Sequence, residues 1–488
     1  MGASADGAGS EARSTARARR HRYLTAEERI ARGKVARRVV PRSSHGAWSP
    51  SPGRPDPVAL LEEQAESRDP TLVPIRHGRM LVSPFAFFRG GALVMAGDLA
   101  NSPQSGIHVQ LCGDAHLSNF GVFGSPERKL LFDINDFDET LPGPWEWDVK
   151  RLAASVEIGG RELGFSAVDR RAAVVACARQ YRTQIRESAE MSTLDTWYDH
   201  RDAEAIMDWV DSEAAAKRLG RKEAKEAAQD IAKARTRDHL RVLDKRTDQM
   251  NGGIRIVADP PLIVPIEDLA GEGVSAEEID RSVRRLIQSY RRSLSHHHHP
   301  IEEFEYVHAA RKVVGVGSVG TEAMILLMVG RDDRDVIFLQ AKEAQASVLE
   351  RFVGASELGN HGQRVVVGQR LMQSASDIFL GWLRVKQHDG RTRDYYIRQL
   401  HDWKGGAEVD TFRPEGAVLY ARLCGATLAR AHARWGDRIA IASYLGKGPV
   451  FDRAIADFAS SYANQNERDY ETFANAVKTG RLAAETGV

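Results

Sequence analysis

Apolar positions along this chain change their period from one region to the next. Ahead of residue 107 they recur at helical spacing. Thr25 and Glu28 form a T-x-x-E capping box that opens a helix through EERIARGKVARRV. PVALLEEQAESR and GGALVMAGDLA predict two further helices, reached through the Pro-, Ser- and Gly-rich linker RSSHGAWSPSPGRPDP. From Ile107 the apolar runs shorten: IHVQLC, then FGVF after Asn119, then KLLFD, separated by Gly and Pro as strands are. PWEWDVKRLAASVEIGGREL and an Ala/Arg/Glu-rich tract to about residue 245 return to helix. VADPPLIVPIED is a Pro-broken connection, and SAEEIDRSVRRLIQSYRRSL is amphipathic. Beyond residue 300, EFEYVHAARKVVGVG, EAMILLMV, DVIFLQAK, DIFLGWLRV and RDYYIRQL predict strands, with a helical insertion between the third and fourth. GAVLYARLCGATLARAHARW and VFDRAIADFASSYANQ close the chain as helices.

The expected organisation is a disordered tail over 1–24, then a mainly helical part over 25–300 that carries a polar segment at 107–148. A small β-rich lobe over 301–405 and a helical part over 406–488 follow. The tail, MGASADGAGSEARSTARARR, lacks large apolar residues to dock. With 488 residues, 42% of them hydrophobic, the chain can bury a large core without disulfides or metals. A net charge of +1 gives no general attraction to nucleic acid, so no nucleic-acid partner is expected. Three scattered cysteines, Cys112, Cys177 and Cys424, form neither a metal pattern nor an even disulfide set, which suits a reducing cytoplasm. No apolar run reaches the length of a membrane span, and no membrane partner is expected.

Candidate chemistry lies in two segments. CGDAHLSNFGVFGSPERKLLFDINDFDET, from Cys112 to Thr140, sets Asp114 five residues before Asn119 and places Asp136 at the head of a D-F-D triplet. A catalytic base and two magnesium ligands appear in this order in kinase-type sites. The plain alternative is a polar hairpin without chemistry. RKVVGVGSVGTEAMILLMVGRDDRDVIFLQAKEA sets Gly315, Gly317 and Gly320 at G-x-G-x-x-G spacing. Those glycines lead into strand, turn and strand rather than into a helix, which is the setting of a glycine loop over nucleotide phosphates and not of a dinucleotide fingerprint. Lys342 closes the next strand, where an ammonium can neutralise phosphate; Glu350 and Glu357 both follow it as possible partners. His296 to His299, at a helix end before a Pro, read as an exposed loop. Arg79 and Arg89 suit either phosphate binding or pairing with a buried acid, and Trp145, Trp147 and Trp403 read as packed aromatics.

About residues 37–470 resemble a bacterial family catalogued as domain of unknown function 2252, through SPFAFFRGG, QLCGDAHLSNFGVF, FDINDFDETLPGPWEWD, FLQAKEAQASVLE and YANQNERDY. The first catalytic segment is also similar to aminoglycoside phosphotransferases and toxin–antitoxin kinases, whose loops read H-G-D-x-H-x-x-N. Gly113, Asp114, His116 and Asn119 match, and Cys112 stands where the leading His would be. Asp136-Phe137 through Gly143-Pro144 to Asp148 follows the order of D-F-x-x-A…G-D-P-x-x-D, without its second small residue or the Asp of G-D-P.

The resemblance implies an α+β, protein-kinase-like fold of two lobes. It implies Asp114 as the group that orients or deprotonates a hydroxyl, Asn119 as a metal ligand, and Asp136 as the bridge from Mg²⁺ to the β- and γ-phosphates of ATP. Asp148 would brace the loop, and His116 would be one of its structural hydrogen-bonders. Asp133 competes for the metal role: it lies 14 residues after Asn119 against 17 for Asp136, and the D-F-D context favours Asp136. Kinases place the glycine loop before the catalytic loop, whereas here it comes after. GATLARAHARWGD is similar to the helix that leads into a catalytic loop, yet the residue five past Asp437 is Ala442, not Asn. The expected fold is therefore circularly permuted, with the front of the chain filling that gap in space. The implied function is ATP- and Mg²⁺-dependent phosphate transfer to a hydroxyl of a small molecule or protein. The alternatives are nucleotidyl transfer on the same fold and a nucleotide-binding pseudoenzyme.

Overall fold

The computed structural model describes residues 24–217, 219–235, 247–250, 253–269, 275–294, 299–313, 315–386, 390–400, 403 and 405–487. The expected tail over 1–24, apart from its last residue, and His296 to His298 lie outside the described residues. The chain is a mixed α+β protein.

Its N-terminal part is helical: α1 (Ala26–Val39), α2 (Pro57–Ala65), α3 (Val73–Met80), α4 (Pro84–Gly90) and α5 (Ala92–Ala100). The capping box at Thr25 and Glu28 starts α1, Asp56 caps α2, and Ser83 caps α4. Next come β1 (His108–Leu111), β2 (Phe120–Gly124), β3 (Leu130–Ile134) and β4 (Leu141–Pro144). They form two separate antiparallel pairs, β1 with β4 and β2 with β3. Helices α6 (Glu146–Glu162), α7 (Ala167–Glu190), α8 (Thr193–Tyr198), α9 (Ala203–Ala215) and α10 (Arg221–Arg235) follow. A small hairpin, β5 (Thr247–Met250) with β6 (Gly253–Ile256), precedes the main sheet.

That sheet contains β7 (Ile263–Pro265), β8 (Glu305–Lys312), β9 (Ala323–Val329), β10 (Val336–Ala344), β11 (Gly381–Lys386) and β12 (Thr392–Gln399). Its order is β11-β12-β10-β9-β8-β7, and every pairing is antiparallel. α11 (Ala276–Arg291) lies between β7 and β8 in sequence; α12 (Glu350–Val353) and α13 (His361–Met372) lie between β10 and β11. Each of the expected strands is present. The Pro-broken segment supplies one more, β7, so the sheet draws its edge strand from ahead of residue 301. Proline is tolerated at an edge because one side of the strand needs no donor.

Helices α14 (Pro414–Trp435), α15 (Arg438–Leu445) and α16 (Val450–Lys478) complete the chain. They share one core with the front of the chain: Phe88, Leu111, Phe137, Trp145, Leu152, Tyr181, Leu428, Tyr444 and Phe458 belong to one buried apolar cluster. This core is thus drawn from both ends of the sequence. α1 packs on α15, and the Gly436 that ends α14 approaches β1 so closely that a Cβ there would lie 2.4 Å from Val109 Cγ1. The Pro/Ser/Gly-rich stretch after α1 is pinned down. His45 Nε2 meets the Tyr444 hydroxyl at 2.6 Å, and Arg54 forks onto both Asp98 and Asp469.

Candidate active site

β1 and β4 pair so that Leu111 lies opposite Leu141, and the loop beginning at Cys112 leaves from that point. Asp148, in the first turn of α6, accepts the amides of Cys112 (2.8 Å) and Gly113 (3.0 Å), and His432 of α14 meets it at 3.2 Å. It braces the loop from a following helix, as its spacing implies. Gly113 has φ +84°, and a Cβ there would lie 2.4 Å from the Glu139 carbonyl oxygen, so no side chain fits. Asn119 Nδ2 donates to the Asp114 carbonyl (2.8 Å), and the Leu117 amide donates to Ser155 Oγ (2.9 Å). Asp114 and Asn119 are thereby held in one rigid turn.

Asp114 Oδ1 takes the Arg151 guanidinium at 2.6 and 2.7 Å, while its Oδ2 lies 3.8 Å from His116 Nε2. Burial pushes the Asp114 carboxyl upward, against the pull of Arg151 and then Arg89. Burial, with Arg89 and Arg151 beside it, pushes His116 far below its ordinary range, so its imidazole is neutral at pH 7. Its Nδ1 is closed off from solvent without a partner, so the ring does not make the loop hydrogen bonds expected of it.

The D-F-D triplet follows β3 with Phe137 buried in the large core. Its two carboxylates differ. Asp138 accepts Lys342 Nζ (2.7 Å), the Tyr396 hydroxyl (2.5 Å) and Ser318 Oγ (3.1 Å). Burial would raise the Asp138 carboxyl, but the charge and hydrogen bond of Lys342 outweigh it and bring it to about 2. Asp136 accepts the Asp138 amide at 3.2 Å, and burial and then the Asp138 charge push its carboxyl up. Asp138 is satisfied; Asp136 is a carboxylate still short of positive charge.

Lys342 faces the site from β10. Glu350 stands instead 3.8 Å from His361 and 3.9 Å from Arg364, and Glu357 is exposed. The partner of Lys342 is Asp138. Position 364 on α13 holds an arginine that ties the segments together, donating to the carbonyls of Thr140, Asp138 and Gln345. The loop between β8 and β9 carries Gly315 (φ +66°), Gly317 and Gly320 (φ +92°). Arg79 donates to the Gly315 carbonyl, Arg68 to that of Val319, and the Asp69 amide to that of Gly320.

A cleft of about 590 Å³ gathers Asp114, His116, Asn119, Asp136, Asp138, Gly315, Gly317 and Ser318, together with Arg68 of the α2–α3 connection, Arg76 of α3 and Arg89 of α4. Lys342 reaches its wall through Asp138, while Gly320 turns toward the α2–α3 connection. Asp133 is not among the lining residues. Its Oδ2 accepts the Ser374 amide and hydroxyl, both at 2.9 Å, on the far side of β3. Trp403 stacks under Arg128 at 4.3 Å. Asp138, Arg68, Arg76, Arg151 and Arg364 are residues the motifs alone did not single out. The second Asp of D-F-D was the available signal for Asp138; the four arginines carry none.

No curated protein and no solved structure matches the chain. A family model does match, over residues 68–476: the chain belongs to the family described as uncharacterized protein conserved in bacteria (DUF2252).

Proposed function

We propose that this protein is an ATP- and Mg²⁺-dependent phosphotransferase acting on a hydroxyl acceptor, built on a circularly permuted kinase-like frame. The observation that carries the reading is the 2.7 Å ion pair between Lys342 and Asp138. It joins the glycine-loop lobe to the D-F-D segment across about two hundred residues of chain, at one cleft with Asp114 and Asn119. Support comes also from the order of parts around it. A glycine loop between β8 and β9, a lysine on β10, a helix before β11 and the order β11-β12-β10-β9-β8 match what a kinase-like small lobe requires. Asn119 directly precedes β2, and D-F-D directly follows β3. The end of α14 abuts β1, where an unpermuted chain would run on into the catalytic loop.

The donor set fits magnesium carried by a nucleotide. Among the described residues no group of three or more His, Cys, Asp or Glu could cage an ion. Mg²⁺ keeps waters and phosphate oxygens and needs only one or two protein ligands. Asp136 supplies an under-compensated carboxylate, and Asn119, with its Nδ2 engaged, has its Oδ1 to offer. When bound, Mg²⁺ neutralises charge on the phosphates. The chain's own residues do the rest. The loop amides hold phosphate oxygens, Lys342 adds its charge from behind Asp138, and Asp114 Oδ2 takes the acceptor's hydroxyl proton. The acceptor oxygen forms a bond to the γ-phosphorus, the bond to the β–γ bridging oxygen breaks, and ADP leaves with that electron pair.

The paired test is calorimetric Mg-ATP affinity and ATP turnover in wild type, Asp114→Asn and Asp136→Asn. Asp114→Asn is expected to keep its affinity and lose turnover by about 10²–10⁴-fold. Asp136→Asn is expected to lose both. Equal turnover in wild type and Asp114→Asn would remove Asp114 from the chemistry; loss of affinity alone in Asp136→Asn would fit a pseudoenzyme.

A further inference from the structure

Three arginines of the cleft keep buried side-chain nitrogens that no partner answers. Arg76 of α3 is fully buried. One of its nitrogens donates to Gln64 Oε1 (2.8 Å) and the Gly90 carbonyl (2.9 Å), while Nε and Nη1 are closed off from solvent without a partner. The Nε atoms of Arg68 and Arg89 are likewise closed off and unpartnered. None of the three forms an ion pair with a carboxylate among the described residues. Of the acids nearby, Glu63 is paired with Arg351, Asp138 with Lys342 and Asp114 with Arg151, while Glu139 and Glu343 act on Arg68, and Glu162 on Arg89, without forming an ion pair with them. Arg68 lies close enough to Arg76 for their charges to repel. Buried like charges without a counter-ion are unstable unless something anionic completes them. Guanidinium forks suit the paired oxygens of phosphate or carboxylate.

We infer that Arg68, Arg76 and Arg89 form an anion subsite that holds a phosphate or carboxylate group on the hydroxyl acceptor, so that the acceptor is a small anionic molecule. This inference rests on the phosphotransferase reading for the word acceptor; the anion site itself does not. The nucleotide's phosphates have their own cations in Lys342 and Mg²⁺, on the Asp136 side. Arg89 acts instead on Asp114, the residue assigned to the acceptor hydroxyl. A cleft of about 590 Å³ accommodates a metabolite beside a triphosphate tail, and its arginines would repel a polycation such as an aminoglycoside.

The test is titration of inorganic phosphate, without magnesium or nucleotide, into the full chain and into Arg89→Gln, Arg68→Gln and Asp136→Asn. Mg-ATP is titrated into the same proteins. Arg68 is partly exposed, so its variant keeps the test sound if a more buried change disturbs folding, which melting curves would reveal. Saturable phosphate binding is expected in wild type and Asp136→Asn, weakened about ten-fold or more in each arginine variant, with Mg-ATP affinity unchanged there. No saturable binding, or equal binding in wild type and the arginine variants, overturns the site. Phosphate that competes with Mg-ATP, with both weakened together in the arginine variants, assigns the arginines to the nucleotide and overturns the acceptor. Phosphate binding as expected in a chain that never binds Mg-ATP keeps the anion site and overturns the phosphotransferase reading instead.

Discussion

Lys342 and Asp138 hold each other charged in a place that would otherwise neutralise them. Burial acts against both, and each is shifted toward its ionised form by the other. Asp138→Asn would leave a buried ammonium facing a neutral amide. A loss on the order of 3 kcal/mol is expected in urea denaturation, largely relieved when Lys342→Met is added. Stability within about 0.5 kcal/mol of wild type would show that the pair does not hold the lobes together. The contrast with Asp136 follows from the same neighbours: one carboxylate has the lysine, and the other forms no ion pair among the described residues. Asp114, Asn119, Asp136 and Asp148 were legible in the sequence because their spacing encodes one local loop and the helix after it. Asp133 lies outside the cleft, held by Ser374 from another part of the chain, and no local spacing carries that contact. The Asp138–Lys342 and Arg364 contacts span two hundred residues and more, and no local period carries them.

At the scale of elements, periodicity located strands and helices well and misjudged what proline-rich stretches do. PPLIVPI contributes β7 because the exposed edge beside β8 accepts a strand with missing donors. The stretch after α1, composed like a linker, is fastened through His45, a histidine in a short 3₁₀ turn whose ring packs edge-on against Tyr444 and Phe451. Burial, and then the charge of Lys150, push His45 down to about 3 from the ordinary 6.5. The unfolded chain therefore binds a proton at this position over the window between those values, and the folded chain does not. Stability is full above pH 6.5 and falls as pH drops toward 3, by up to about 1.4 kcal/mol per pH unit for this one group. His77 and His116 are shifted the same way. His45→Gln is expected to lower stability at pH 7 and to flatten its decline between pH 6.5 and 4. A decline as steep as that of wild type would mean that His45 is not one of the groups that titrate.

Across the whole molecule, chain order and spatial order part company. The front of the sequence supplies the loop and the acids, the middle supplies the sheet, and the end supplies helices that pack back on the front. The reversed order of the motifs could be read from the sequence because each motif is local, and it is what the proposed permutation would explain. The placement of α2–α4 against the glycine loop was not, because it depends on contacts such as Arg79 with Gly315 that follow no spacing. These helices bring arginines to the wall of the cleft, which is why an anionic acceptor is expected. The most direct measurement supplies the full chain with Mg²⁺ and ATP labelled on either the α- or the γ-phosphate, offers it a pool of phosphorylated and carboxylated metabolites, and follows the label. Movement of γ-label onto a hydroxyl-bearing anion, absent in Asp136→Asn, is the predicted result. Movement of α-label would convict the site of nucleotidyl transfer, and no movement of either label, with Mg-ATP bound, would contradict phosphoryl transfer.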